Sequence, residues 1–79
     1  MNPRVKEVYP MQDYHLKLVF NNGEVKVFDV KPYLNKGVFK ALSDPILFNT
    51  VHPFLGSILW NNNIDLSPDT LYLDSIILQ

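Results

Sequence analysis

Tyr14 to Val30 reads YHLKLVFNNGEVKVFDV. Two strand-like runs flank Asn22-Gly23, a favoured pair for a two-residue type I′ turn because both central positions need φ > 0. A turn there predicts a register in which Phe20 faces Val25, Leu18 faces Val27 and Leu16 faces Asp29. That side is apolar and is the expected core side. The other side pairs Val19 with Lys26, Lys17 with Phe28 and His15 with Val30. It is half apolar, whereas a sheet face in water is normally more polar. The expectation is a covered, partner-facing surface made of His15, Lys17, Val19, Lys26, Phe28 and Val30. Asp29 closes the core row, an awkward place for a carboxylate. Its expected role is to cap the element that begins near Pro32, a good first helical residue.

Outward from the hairpin, Arg4 to Tyr9 reads as a short strand stopped by Pro10. Pro32 to Leu42 reads as a short helix or a pair of turns, broken at Gly37. Asp44-Pro45 is a second start signal, for a helix over 44–50. Phe54 to Trp60 reads as a strand, with Phe54, Ile58 and Trp60 on one side. Asn61-Asn62-Asn63 is a turn, because asparagine tolerates the left-handed region. Ser67, Pro68 and Asp69 then open the last helix as cap, first residue and dipole partner. Leu66 and Leu71 form a hydrophobic staple across that start. The tail from Ser75 is apolar and is expected to dock as a helix end or strand, or to be a sticky surface.

These elements predict one α+β domain over residues 1–79: a mainly antiparallel sheet of three to four strands with a central hairpin and short helices. The expected core is Val8, Leu16, Leu18, Phe20, Val25, Val27, Leu34, Phe39, Leu42, Phe48, Ile58, Trp60, Leu66 and Leu71. Seventy-nine residues without a cysteine leave only that core, or self-association, to stabilise the fold. The lack of cysteine fits a reducing cytoplasm. The opening Met1-Asn2-Pro3-Arg4 has no apolar run of a signal peptide, and no stretch approaches the ~20 apolar residues of a membrane span. The expected location is cytoplasmic, away from the membrane.

Net charge is −1, unevenly spread. All seven basic residues lie in 1–40 with four acids, leaving +3, and 41–79 carries only four aspartates. That is far below the basic stripe of a nucleic-acid binder, so weak nucleic-acid binding by this domain alone, on the Lys17, Lys26, Phe28 and His15 face, stands only as a third reading. His15 and His52 each stand alone, without metal-ligand spacing. The serines lack a nucleophile elbow, and the three glycines form no phosphate-cradling loop. The reading is therefore of a chain that is not an enzyme, with no cofactor and no metal. A protein partner or a homodimer is expected. The competing reading is a small-ligand or enzymatic site around Trp60, Asn62, Asp65 and Tyr72, where aromatic and polar groups gather.

The chain also resembles a family. Asn2-Pro3-Arg4-Val5 with Val8 and Pro10 is similar to its first strand. Leu16-Lys17-Leu18-Val19-Phe20, Asn22-Gly23-Glu24 and Val27-Phe28-Asp29-Val30 are similar to its hairpin. Trp60 with Asp65, Leu66, Ser67 and Leu71 is similar to its closing motif. Together these resemble the small bacterial proteins of domain-of-unknown-function family 2442. One departure is Asn63, where the family commonly has glycine; the turn is expected to survive, because asparagine reaches the same conformation. The resemblance implies an α+β fold in a bacterial, cytoplasmic protein and supplies no activity. Some similar proteins carry a fused helix-turn-helix domain, and others are encoded beside a second small protein, as toxin–antitoxin pairs are. By that analogy the role is a non-catalytic interaction or regulatory module.

Overall fold

The computed structural model describes residues 2–78. Seven strands and two short α-helices are present among them: β1 Val5–Pro10, β2 His15–Phe20, β3 Val25–Asp29, α1 Pro45–Phe48, β4 His52–Phe54, β5 Ser57–Leu59, β6 Asp65–Leu66, α2 Pro68–Leu73 and β7 Ile76–Ile77. They form two antiparallel sheets instead of the single one expected, ordered β1-β2-β3-β7 and β4-β5-β6. The fold is a small α+β architecture, and the apolar tail is its fourth large-sheet strand. The segment 31–43 is 3-10 helix in two pieces, Lys31–Tyr33 and Gly37–Ser43. Pro32 and a positive-φ Gly37 prevent one continuous α-helix there.

The β2–β3 hairpin corrects the sequence reading by one residue. Its loop has three residues, not two. The Phe20 N–H donates to Glu24 O, the Gly23 N–H donates to Phe20 O, and Gly23 takes φ 89°. That is a turn ended by a left-handed glycine, the second commonest hairpin closure. The Asn22 carboxamide oxygen holds it by accepting from the Glu24 N–H at 3.0 Å. Leu16 therefore faces Phe28, Leu18 faces Lys26 and Val19 faces Val25. A slip of one residue turns every side chain of a strand over. Phe28 and Val30 are at most 1% exposed, and Lys26 is buried beside them. Val25 and Val27, expected inside, lie on the opposite face and are half-buried.

The observed register also removes the awkward carboxylate. Asp29 sits on the outer face, opposite His15, and accepts from the Lys31 N–H at 2.9 Å. It caps the following 3-10 turn, as expected of it. Phe28 instead stacks on Tyr33, with ring centroids 5.7 Å apart. Lys26 is the charge this register buries. Its Nζ donates to Tyr72 O at 2.5 Å and lies 4.0 Å from the centre of the Tyr72 ring. The ammonium thus meets a carbonyl in the last turn of α2 and an aromatic face, both favourable to a cation.

β1 carries a bulge. Val5 faces Phe20 but Glu7 faces Val19, so two residues oppose one. Val5 and Val8, three apart and incompatible with simple alternation, both reach the core because of it. On the small sheet, the turn after Trp60 repeats the geometry of the first hairpin. The Trp60 N–H donates to Ile64 O and the Asn63 N–H to Trp60 O, while Asn62 Oδ1 accepts from the Ile64 N–H. Asn63 takes φ 67°, so asparagine fills the left-handed position as the sequence implied.

The core joins the sheets through Leu16, Leu18, Phe20, Phe28, Val30, Leu42, Phe48, Val51, Ile58, Trp60, Ile64 and Leu71. Ser67 caps α2 and Asp44 caps α1, each with its side chain accepting from a first-turn N–H.

Two outcomes follow from the register. Phe28→Glu is expected to prevent folding, because it buries an unpaired carboxylate, whereas Val27→Glu on the outer face is expected to leave circular dichroism unchanged. Gly23→Ala is expected to cost about 1–2 kcal/mol in denaturant unfolding, the penalty of a left-handed non-glycine residue.

Candidate interaction surface

The outer face of the four-stranded sheet is the surface that the rest of the described chain leaves uncovered. Alternation and register place Glu7 and Tyr9 of β1 on it, then His15, Lys17 and Val19 of β2, and Val25, Val27 and Asp29 of β3. Ile76 of β7 stands beside Val27, and the Leu78 N–H donates to Val25 O, placing Leu78 beside Val25. Two rows result: Tyr9–Lys17–Val27–Ile76 and Glu7–Val19–Val25–Leu78.

Half of the expected surface is therefore here, His15, Lys17 and Val19. The other half, Lys26, Phe28 and Val30, is on the core side. The expectation of a half-apolar outer face holds with Val25, Val27, Ile76 and Leu78 in their places. The sequence contained the signal: an outward Asp29 satisfies the carboxylate, and an inward Phe28 satisfies the phenyl ring.

The face is charged towards β1 and at its His15–Asp29 end, and apolar towards β7. Lys17 Nζ lies 5.6 Å from the centre of the Tyr9 ring. Glu7 accepts from the Tyr9 hydroxyl, and this hydrogen bond with the neighbouring carboxylate raises the phenol pKa. His15 Nε2 is 3.8 Å from Asp29 Oδ2, and its other ring nitrogen lies 3.3 Å from Gln12 O. Where β3 meets β7, a hollow of about 280 Å³ is lined by Val27, Ile76, Ile77 and Leu78, with His15, Asp29 and Asp74 at its margin. Ile76 is 76% exposed there.

The four residues of the competing ligand site do not converge. Trp60 is fully buried; its Nε1–H donates to Phe48 O at 3.0 Å, and its ring packs against Phe48. Asn62 and Asp65 line a cleft of about 540 Å³ with Val38, Phe39, Asn63 and Ile64. Trp60 is not part of the wall of that cleft. Tyr72 lies elsewhere, edge-on to Phe20, with its hydroxyl donating to Glu24 Oε1 at 2.6 Å. The Asp65 side chain is exposed, and its backbone, in β6, pairs with Leu59 of β5. His52 Nδ1 lies 3.0 Å from Thr50 O, and His52 begins β4. Among the described residues no three His, Cys, Asp or Glu side chains are grouped to hold a metal ion. No described helix is long and apolar enough to cross a membrane.

The model of the family described as "Protein of unknown function (DUF2442)" matches residues 5–76. The chain belongs to that family. No curated protein matches it. Among solved structures, it is similar to a crystal structure from Nitrosomonas europaea described as a "Putative DNA Binding Protein", with 27% identity and a TM-score of 0.81. The match covers 95% of this chain and 50% of that one, so the chain spans half the length of that neighbour.

Glu24 yields a pH dependence. The Tyr72 hydroxyl, then the Asn22 carboxamide, hydrogen-bond its carboxylate and hold its pKa below the ordinary 4.5. A depressed carboxyl stabilises the fold above its unfolded pKa and loses that contribution as pH falls through the folded value. Stability from Glu24 is thus full at pH 7 and lost below pH 4.5. Denaturant titrations between pH 7 and pH 3 are expected to show a smaller acid-side decline in Glu24→Gln than in the unchanged chain.

A buried Trp60 makes a second outcome measurable. As the single tryptophan, it is expected to emit at short wavelength and to resist acrylamide quenching. Trp60→Ala is expected to cost about 3–5 kcal/mol, enough to unfold most of so small a domain.

Proposed function

We propose that this domain is a non-catalytic protein-interaction module, a regulatory accessory whose partner docks on the outer face of the four-stranded sheet. The observation that carries this reading is the pair of rows through Val19, Val25, Val27, Ile76 and Leu78. A strand face with so many apolar side chains and no covering layer fits a surface that meets another protein. The polar groups beside those rows, Glu7, Lys17, His15 and Asp29, carry both signs, as the polar part of an interface does. The lining of the Asn62–Asp65 cleft supports binding better than catalysis. The Asn62–Asp65 cleft presents one carboxylate and no histidine, serine or lysine, so a base and a nucleophile do not meet there. We place the protein in the bacterial cytoplasm, in keeping with the family resemblance.

A second reading, contact with DNA, is favoured by the name of the Nitrosomonas europaea neighbour. Half of that chain lies outside the match, and the outer face here offers Lys17 and His15 against Glu7 and Asp29. In our reading DNA is reached, if at all, through a partner or an additional domain. The domain alone is expected to show no salt-sensitive binding to mixed-sequence duplex. An affinity falling steeply between 50 and 200 mM salt would instead assign it phosphate contacts.

The test of the interaction reading is a tagged copy expressed at low level in its native host, purified gently and weighed by light scattering with mass spectrometry. A stoichiometric companion that is lost from Val19→Lys/Val27→Glu, with the fold intact, supports the outer face. A companion retained by that variant removes the outer face from the account.

A further inference from the structure

The open edge of β7 is a surface distinct from the outer face, and its geometry identifies what fits it. The Leu78 N–H donates to Val25 O at 3.0 Å, while Ile77 stands opposite Lys26 and Ile76 opposite Val27. In an antiparallel ladder, residues that exchange hydrogen bonds alternate with residues that do not. Ile76 and Leu78 therefore direct their backbone groups at β3, and Ile77 directs its N–H and C=O away from the sheet. At the other edge of this sheet, β1 is approached by the β4–β5 hairpin, with the Val5 N–H donating to Gly56 O at 2.9 Å.

Natural sheets protect such an edge with lysine, proline, a bulge or a covering loop. Among the described residues β7 has none of these. Its side chains are Ile76, Ile77 and Leu78, exposed by 76%, 57% and 46%, with exposed Leu73 close by in sequence. We propose that β7 pairs with β7 of a second copy of this chain, antiparallel about a two-fold axis through Ile77.

The sequence around that axis is self-complementary. With Ile77 opposite its own counterpart, each copy's Ile77 N–H donates to the other's Ile77 C=O. Ile76 then stands opposite Leu78 of the second copy on the outer face. No charged residue lies between 75 and 78, and a net charge of −1 per chain gives little repulsion between copies. The row Tyr9–Lys17–Val27–Ile76 of one copy runs on into Leu78–Val25–Val19–Glu7 of the other, so the apolar ends of the rows meet at the axis and Lys17 and Glu7 lie far from it. The four-stranded sheet becomes an eight-stranded one with its weakest edge closed, the isologous arrangement of a two-fold dimer. For a 79-residue chain without disulfides, this association adds stability that its own core supplies sparingly.

The experiment uses sedimentation of the full chain across the micromolar to millimolar range, with circular dichroism as the folding control. The expected mass is twice 9.2 kDa, and Ile77→Lys and Ile77→Asp are each expected to be folded monomers. Because residue 77 faces itself, mixing those two variants is expected to restore the dimer. The chain has no cysteine, so Ile77→Cys is expected to cross-link to itself under mild oxidation. Ile76→Cys and Leu78→Cys are expected to cross-link mainly when mixed with each other. A monomer throughout the range, a dimer that survives both charged substitutions, or a cross-link pattern centred on another residue overturns the proposal. A monomer that still carries a companion on Val19 and Val27 would overturn the pairing alone and leave the interaction module standing.

Discussion

The left-handed Gly23 and the Asn22 carboxamide that holds the turn around it set the register of the central hairpin, and the rest of the molecule depends on that register. A three-residue closure sends Phe28 and Val30 inward to meet Leu16 and Leu18, and Asp29 outward to cap the next turn. A two-residue closure would bury Asp29 and display Phe28. The difference between these is a carboxylate in an apolar core against a phenyl ring in one, worth several kcal/mol on desolvation grounds alone. Local turn preference is a weaker force and gives way to it. Lys26 is the cost of the arrangement, and it is offset by the Tyr72 carbonyl and ring. That contact also fastens the last helix to the sheet, so the turn at Gly23 reaches as far as residue 72.

Much of the architecture was legible because single residues carried strong local constraints. Ser67 and Asp44 before proline marked both α-helices, and Leu66 and Leu71 marked how α2 docks. Asn63 was readable as a left-handed residue from its chemistry. The α+β class and the family followed from the same features. What the sequence concealed were quantities fixed only by tertiary contact. Asn22-Gly23 is compatible with two turn lengths, and only burial of the whole strand selects between them. The bulge in β1 is visible as the odd spacing of Val5 and Val8, but its meaning needs the Phe20 partner. Separation into two sheets was hidden because β4 and β6 have three and two residues, too short for any alternation to show.

The candidate surface was legible as a property and only half legible as a list. A hairpin of this composition has to show a mixed face whichever register it adopts, since each alternate row of residues 25–30 carries two apolar residues and one charged one. The register decides which residues show. The ligand site around Trp60 fails for a related reason. Aromatic and polar residues that are neighbours in sequence were expected to share a pocket, yet Trp60 enters the core, Asn62 and Asp65 line the cleft, and Tyr72 packs against Phe20 and Lys26.

The most direct test of this account is a two-dimensional nuclear Overhauser spectrum of the hairpin. Residues facing each other in a non-hydrogen-bonded pair bring their Hα atoms close together. The register described here predicts strong Hα–Hα cross-peaks between Lys17 and Val27 and between Val19 and Val25. Cross-peaks between Leu18 and Val27 and between Phe20 and Val25 would contradict it. They would return Phe28 to the surface and Val27 to the core, and remove the basis for the outer face.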